Sequence, residues 1–397
     1  MLLPVIFYYH RLNCYSFNAL AGAIDASPEL SGLKIDIALN AARLRACASE
    51  RVRRHGRAVV AFSVLTCQLK RTGSIIQELR SDLGSNVVII AGGAHATACP
   101  EDLLEMGADC VIRGEAELAF PKLLGSIMQG DWIRGSITGE PVDIEAFASF
   151  SPGRGMFGPI EITRGCAFAC SYCQTSHIFG TRLRHRSVDT IVRQAETLRS
   201  INRKVVRLLS PNAFSYGSSD GRVLNLDAVR ELLHGLRTRL GPSARIIFAH
   251  FPSEVRPEHV TPDTLDLLKE FADNDEIVIG AQSGSRRMLD ACRRSHDVKS
   301  VLNAVVTARR YGYKIIVDFI FGLPDETEAD LKETFSLMDE VVGRGARIHP
   351  HIFAPLPQTA FADREPGRLS PEVNSALNRI RSRGGLYENK SRTGDQM

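Results

Sequence analysis

The sequence lacks the features that define several common protein classes. It has a single tryptophan, and its 44% hydrophobic and 24% charged residues are typical of soluble globular proteins. No apolar run approaches the ~18–20 residues of a membrane-spanning helix. Residues 1–7 have no charged region or cleavage site of a signal peptide and predict a strand instead. The net charge of +4 is too small to indicate a nucleic-acid-binding surface.

The nine cysteines are not spaced like the disulfide framework of a small secreted domain, so we expect a reducing cytoplasm. Cys166, Cys170 and Cys173 fall in one short loop, and the next cysteine, Cys292, is far along the chain. A [4Fe–4S] cluster normally takes four thiolates, so a cluster on this loop would leave one iron open to a small ligand. Zinc with His177 as a fourth ligand, or three buried thiols, are the alternative interpretations.

Tyr172 stands directly before the last of these cysteines. With it, the loop resembles the signature of the radical S-adenosylmethionine (SAM) enzymes. The resemblance implies that SAM chelates the open iron and that one electron cleaves it to a 5′-deoxyadenosyl radical. A reductant protein such as flavodoxin or ferredoxin would then be a partner.

Residues 159–362 alternate short apolar runs with amphipathic stretches, which predicts βαβ units and a parallel sheet. Six units would form a partial (β/α)6 TIM barrel with its function at the carboxyl ends of the strands. The predicted strands include 205–209, 246–249, 277–279, 315–321 and 348–353. The predicted helices are 188–200, 226–240, 262–272, 285–292, 298–311 and 328–343.

Two of these strand ends resemble SAM-binding turns of the same enzymes. The resemblance implies that the first turn lies near the SAM carboxylate and the second near the adenine. The implied SAM-binding residues are Tyr172, Gln282, Ser283, Gly284, Ser285, Gly322, Leu323, Pro324 and Glu326. The sequence assigns no catalytic residue, although His250, which follows a predicted strand, and His351, which lies in one, are candidate proton donors.

Residues 1–135 predict a separate Rossmann-like, doubly wound sheet, which binds ligands at the carboxyl ends of its strands. No Gly-x-Gly-x-x-Gly follows the first strand, which argues against a dinucleotide. The predicted strands are 3–9, 34–39, 58–64, 86–91 and 109–112. A linker at 136–158 and a polar tail at 363–397, disordered at its end, complete the predicted organisation.

Adjacent glycines follow the fourth of these strands, and a Gly-Glu-x-Glu turn follows the fifth. Both resemble turns in the amino-terminal domain of the cobalamin-binding radical SAM enzymes, and the resemblance extends over roughly residues 1–360. It implies a corrin at the strand ends, with candidate contacts Ser63, Thr66, Gly92, Gly93, Ala94, His95, Gly114 and Glu115. The Asp-x-His-x-x-Gly that supplies a cobalt-ligating histidine in many cobalamin proteins is absent. Cobalamin would therefore bind without such a ligand, or the domain has kept its fold and lost the cofactor.

The resemblance implies transfer of a methyl group to an unactivated carbon of a small molecule or peptide, with a radical rearrangement as a close alternative. The radical SAM methylthiotransferases share the SAM turns but carry an extra cluster on three amino-terminal cysteines. Cys14 and Cys67 fall near two of those places, Gly93-Ala94 occupies the third, and Cys99 is several residues late. We therefore expect no tRNA substrate. A non-catalytic iron–sulfur redox or ligand sensor is the alternative from another class.

Overall fold

Apolar runs of mainly β-branched residues form the centre of the first of two units, Met1–Ile160. The computed structural model describes residues 3–387. In the first unit its strands form one parallel sheet in the order β2-β1-β3-β4-β5-β6. They are β1 (Val5–Tyr8), β2 (Ile35–Ala38), β3 (Ala58–Ser63), β4 (Val87–Gly92), β5 (Cys110–Gly114) and β6 (Gly135–Gly139).

Helices cover both faces of this sheet, because successive strand residues point to opposite sides. Ile6 packs into the core on one face, whereas Val5 and Phe7 pack into the core on the other. The helices are α1 (Cys14–Asp25), α2 (Ala41–His55), α3 (Leu69–Leu83), α4 (Ala94–Ala98), α5 (Pro100–Glu105) and α6 (Ala119–Gln129). The predicted doubly wound, Rossmann-like sheet is confirmed.

The predicted linker differs from the structure at its start, where Gly135–Gly139 forms the edge strand β6. This segment contains two glycines, and only the end of the strand is buried, so its sequence lacks a clear strand pattern. The division between the two units falls after Ile160.

The second unit, Glu161–Met397, holds two parallel sheets in the orders β11-β10-β7 and β12-β13-β14. A parallel bridge between Val255 and Ile279 joins them into an open barrel. The strands are β7 (Ile160–Glu161), β8 (Thr163–Arg164), β9 (Arg184–His185), β10 (Val205–Leu209), β11 (Arg245–Ile247), β12 (Glu276–Gln282), β13 (Lys314–Phe321) and β14 (Ala346–Ile352). β8 and β9 form a short antiparallel pair beside the barrel strands.

Amphipathic helices alternate with these strands, as the predicted partial barrel requires. Seven of these helices in the described chain begin at a side-chain cap, among them α8 after Ser187, α9 after Asn225 and α13 after Thr327. The helices are α7 (Thr175–Phe179), α8 (Val188–Ser200), α9 (Leu226–Leu240), α10 (Pro262–Phe271), α11 (Arg286–Ala291), α12 (Val298–Arg310), α13 (Glu328–Gly343) and α14 (Pro371–Ser382).

The predicted polar tail contains α14, which buries Val373, Ala376, Leu377 and Ile380 along one face. Beyond this helix, Leu386 bridges to Ile348 of β14. The end of the tail, residues 388–397, for which the sequence predicts disorder, lies outside the described residues. Among residues 3–387, no helix has the length and apolar content needed to span a membrane.

Candidate active site

The three-cysteine loop begins with a glycine that no other residue could replace without strain. Gly165 follows β8 with φ of +90°, and a Cβ there would lie 2.2 Å from the Arg182 carbonyl oxygen. The Cys166 N–H then donates to the Gly180 carbonyl oxygen at 3.1 Å. Both contacts hold the loop against the segment that leads into β9.

The cysteines themselves suit an iron–sulfur cluster better than three free thiols. Burial, with smaller contributions from the charges of Cys170 and Cys173, raises the pKa of the Cys166 thiol. Three bare thiolates would therefore be unfavourable together, whereas iron binds them as thiolates and neutralises their charge. The donor set fits the cluster, which Cys166, Cys170 and Cys173 would hold.

Arg294, just after α11, ties the cysteine loop to β12. Its Nη1 donates to Cys170 Sγ at 3.6 Å and to Tyr172 Oη at 3.3 Å, and its Nη2 donates to the Gly280 carbonyl oxygen at 2.7 Å. Its Nε is buried and has no hydrogen-bond partner among the described residues. A cationic donor is thus held beside the loop with one N–H unused.

A second arginine packs directly on the cysteine loop. The Arg256 guanidinium lies 3.7 Å from the centre of the Phe168 ring, and Phe168 stands between the first two cysteines. Arg256 Nε donates to Glu258 Oε1 at 2.5 Å, whereas its buried Nη2 has no partner among the described residues. Cationic N–H groups that have no partner in the described chain, next to the cysteine loop, suit a ligand that carries a carboxylate. SAM carries one.

The Gln282–Ser285 turn has a structural role that its sequence did not predict. Ser283 Oγ lies 3.1 Å from Thr334 Oγ1, and Ser285 Oγ donates to Asp330 Oδ1 at 2.6 Å. A Cβ on Gly284 would lie 2.6 Å from Thr334 Cα. The turn is docked on α13, so the glycine is required by helix packing. Gln282, the last residue of β12 and the first of this turn, is buried with φ of +74°.

The second turn, Gly322–Glu326, is also fixed from inside the protein. Gly322 has φ of +71°, a Cβ on it would lie 2.6 Å from Gly367 Cα, and its N–H donates to Glu326 Oε2 at 2.9 Å. Burial raises the pKa of Glu326 to about 7, and its Oε1 is buried without a partner in the described chain. Leu323 packs in a small apolar cluster that includes Tyr172, while Pro324 is half-buried. This cluster shields one side of the cysteine loop from water.

Polar side chains form a layer inside the barrel. Asp318 of β13 is paired in register with His349 of β14 on one side and with Gly280 of β12 on the other. Burial, reinforced by Asp318, raises the pKa of Glu254 to about 8. Burial also opposes ionisation of Asp318, but hydrogen bonds from His349 and His351 outweigh it and lower the Asp318 pKa. Glu254 therefore holds a proton near neutral pH while Asp318 is ionised.

The two histidines that the sequence offered as proton donors, His250 and His351, lie in different surroundings. His250 Nε2 is 3.3 Å from Glu276 Oε2, and Glu276 is the first residue of β12. His351 Nε2 is 3.5 Å from Asp318 Oδ1 in the barrel interior. Of the two, only His351 joins the interior polar group just described.

In the first unit, both ring nitrogens of His95 are already engaged. Nδ1 lies 3.2 Å from Thr66 Oγ1, and Nε2 lies 3.0 Å from Asp102 Oδ2, with the histidine 3% exposed. His95 cannot bind cobalt without breaking these contacts. The arrangement fits a cobalamin held without this histidine as a ligand.

The glycine turns at these strand ends are close-packed against neighbouring backbone. Gly93 has φ of +98°, and a Cβ would lie 2.6 Å from Val64 N. Gly114 has φ of +73°, and a Cβ would lie 2.7 Å from the Gly139 carbonyl oxygen. Buried Glu115 accepts a hydrogen bond from Val142 N at 3.1 Å.

The carboxyl edge of the sheet keeps a partly exposed surface beside these contacts. Gly92, Gly93 and Ala94 are half-buried, and Ser63 ends the neighbouring strand β3. A Cβ on Gly92 would meet only the Ile112 carbonyl oxygen, at 3.6 Å. A flat ligand therefore has access to this edge, although the adjoining glycine is required by the fold itself.

Family models match both units of the chain. The Radical SAM superfamily matches residues 160–338, and the B12 binding domain matches residues 23–124. The barrel with its three-cysteine loop and the doubly wound sheet define a radical SAM protein. The chain contains a radical SAM domain and, on the amino-terminal side of it, a B12-binding domain. The cofactors that these domains imply are a [4Fe–4S] cluster, SAM and cobalamin.

Similar solved structures share this fold. The chain aligns with the radical SAM methyltransferase TsrM from Kitasatospora setae, solved with cobalamin and a [4Fe–4S] cluster, with a TM-score of 0.66 and 15% identity over 91% of this chain and 77% of that one. It aligns with the cobalamin-dependent radical enzyme OxsB, solved with aqua-cobalamin and SAM, with a TM-score of 0.64 and 15% identity over 96% of this chain and 56% of that one.

The chain is also similar in sequence to curated relatives that are named as tRNA-modifying enzymes. The tRNA-2-methylthio-N(6)-dimethylallyladenosine synthase of Parabacteroides distasonis is 29% identical over 262 residues, which are 63% of this chain and 54% of that protein. The chain thus spans about half the length of this relative.

Sequence reasoning missed the two arginines and the buried Asp318 group. Arg256 and Arg294 stand in loops with no distinctive spacing, and their roles arise only when the loops meet the cysteine loop. His349 and His351 alternate along β14, a pattern that places both on one face of a strand. That alternation was the available signal.

Proposed function

We propose that this protein is a cobalamin-dependent radical SAM methyltransferase that acts on an unactivated carbon of a small-molecule or peptide substrate. The observation that carries the proposal is the presence, in one chain, of a B12-binding domain and of a three-cysteine loop beside arginine N–H groups that have no partner within residues 3–387. The likeness to TsrM, a radical SAM methyltransferase solved with cobalamin bound, supports the same reaction class.

When bound, the cluster, SAM and cobalamin supply the electron, the radical or methyl group, and the methyl carrier. The chain's own residues bind and orient these groups. Cys166, Cys170 and Cys173 would hold the cluster, and the spare N–H groups of Arg256 and Arg294 would bind the SAM carboxylate.

Other side chains keep the site dry and manage protons. The apolar cluster of Tyr172 and Leu323 excludes water beside the cysteine loop. Glu254 retains a proton near neutral pH and stands next to ionised Asp318, so this pair can give or accept a proton inside the barrel. The turns Gln282–Ser285 and Gly322–Glu326 would line the remaining SAM surface, and Ser63, Thr66, Gly92–His95 and Gly114–Glu115 would border the cobalamin.

The free cysteines of the described chain and the oxygen sensitivity of open clusters support action in a reducing cytoplasm, with flavodoxin or ferredoxin as electron donor. Anaerobically reconstituted protein should bind cobalamin stoichiometrically. With a reductant and methyl-labelled SAM, it should produce labelled methylcobalamin together with S-adenosylhomocysteine or 5′-deoxyadenosine. Cys173→Ala is the matched control and should form none of these products. Wild-type protein that binds no cobalamin, or consumes no SAM, would overturn the proposal.

A methylthiotransferase is the second candidate, and the 29% identity to the tRNA-modifying enzyme favours it. Against it, Gly93 and Ala94 occupy the place of the third extra-cluster cysteine, and Gly93 is packed against Val64. Iron analysis and tRNA gel shifts at ~0.15 M salt separate the two candidates. About four irons per chain and no submicromolar tRNA binding are expected, whereas about eight irons with tight tRNA binding would move the assignment.

A further inference from the structure

A group of metal-ligating side chains lies in the barrel apart from the three cysteines. Asp318 is in the middle of β13, and His349 and His351 point to one face of the neighbouring strand β14. One ligand atom from each of the three lies within 4.8 Å of the others. The register brings these side chains together, because Asp318 pairs with His349 and Ile320 pairs with His351.

Both imidazoles converge on the same carboxylate oxygen. His349 Nδ1 is 2.8 Å and His351 Nε2 is 3.5 Å from Asp318 Oδ1. The Asp318 side chain is only 2% exposed, yet its other oxygen, Oδ2, has no hydrogen-bond partner among the described residues. The protonated carboxyl group of Glu254 can donate to Asp318, and a cation bound here would replace that proton in satisfying the buried carboxylate.

The charged groups around Asp318 are compatible with a bound divalent cation. Glu254 faces Asp318, so two carboxyl groups and two imidazoles meet in one buried region. Arg294 is a nearby cation, but its Nη1 and Nη2 groups are directed to Cys170, Tyr172 and the Gly280 carbonyl oxygen.

Aromatic rings hold the His349 ring in place, whereas the partly exposed His351 gives an ion access to the group. The His349 ring is 5.3 Å from the Phe251 ring and 5.4 Å from the Tyr387 ring, edge to face in both cases. Such support orients a metal-binding imidazole. His351 is 34% exposed, so an ion can enter from its side.

We propose that Asp318, His349 and His351 form a binding site for a divalent first-row transition metal. Two imidazoles and a carboxylate suit Zn²⁺ or Fe²⁺ rather than Mg²⁺ or Ca²⁺, which take oxygen ligands. The ion would be separate from the iron held by the cysteine loop. The inference does not rest on the proposed methyl transfer.

The test uses reconstituted, desalted holoenzyme and Zn²⁺ as the probe. Zinc and iron per chain are measured by mass spectrometry, and zinc affinity is measured against a chromophoric chelator. We expect about one zinc per chain besides about four irons. Zinc-edge X-ray absorption should show nitrogen and oxygen ligands without sulfur.

Asp318→Asn and His351→Gln should each weaken zinc binding at least about tenfold while iron is retained. His250→Gln is the matched control, because His250 contacts Glu276 outside this group. Should Asp318→Asn fail to fold, the half-exposed His351→Gln still carries the test. No retained zinc in the wild type, unchanged affinity in His351→Gln, or sulfur ligands at the zinc edge would each overturn the proposal.

Discussion

Arg256 offers a quantitative test of the SAM-binding geometry. Its Nη2 is buried beside the cysteine loop without a partner among the described residues, while its Nε is paired with Glu258. Arg256→Lys keeps the positive charge that Glu258 needs but removes the guanidinium fork. If Nη2 binds the SAM carboxylate, the substitution removes one charge-assisted hydrogen bond of about 1.5–3 kcal/mol. Since about 1.4 kcal/mol is tenfold in Kd, SAM should bind about 10- to 150-fold more weakly.

The measurement is anaerobic calorimetry of SAM binding, with iron content determined on the same samples. Arg222→Lys is the matched control. Its guanidinium also lies over the Phe168 ring, at 4.9 Å, but Arg222 is exposed and donates to Ser295. Iron content should stay the same in both variants. A SAM affinity in Arg256→Lys equal to that of Arg222→Lys would refute the reasoning, because the unpaired N–H would then have no ligand.

Three further predictions follow from the described contacts. Cys166→Ala should abolish the cluster absorption and the iron content, whereas Cys292→Ala should retain both. Burial raises the pKa of the Cys292 thiol to about 12 and keeps it protonated, so it is not available as a ligand. Loss of iron in Cys292→Ala would contradict this. Folding raises the Glu326 pKa from 4.5 to about 7, so the stability of the wild type relative to Glu326→Gln should be greatest below about pH 4.5 and fall as the pH rises through 7, as denaturant unfolding would measure; an opposite or flat trend would exclude a raised pKa. His95→Gln should leave the paramagnetic resonance spectrum of bound cob(II)alamin unchanged, because both His95 nitrogens contact protein atoms; loss of nitrogen coupling would identify His95 as a cobalt ligand.

Helix positions could be predicted closely where local signals agree. Helices α8, α9 and α13 have the predicted bounds because each combines an amphipathic pattern with a capping side chain. The strand β6 was missed because Gly135–Gly139 has little apolar content, and its place in the sheet comes from pairing with β5. Strand pairing depends on residues distant in sequence.

The site was predictable in type but not in detail. Cysteine spacing indicated the metal-binding loop, since one short segment carries all three thiols. The packing of Gly93, Gly284 and Gly322 could not be predicted, because a Cβ at each would meet backbone that lies far away in the sequence. Neither that close packing nor the contact of Arg294 with the loop can be inferred from local pattern.

The segment after α14 protects an edge of the barrel. β14 is last in the order β12-β13-β14, so its outer side would present unpaired backbone groups. The Ile348 N–H instead donates to the Gly385 carbonyl oxygen at 2.7 Å, and the Tyr387 N–H donates to the Ile348 carbonyl oxygen at 2.8 Å. A chain ended at residue 362 would keep the motifs of the radical SAM domain but leave a strand open to pairing with another molecule. We predict that such a shortened protein self-associates. The segment after α14 would then keep the barrel in solution by covering the edge of β14.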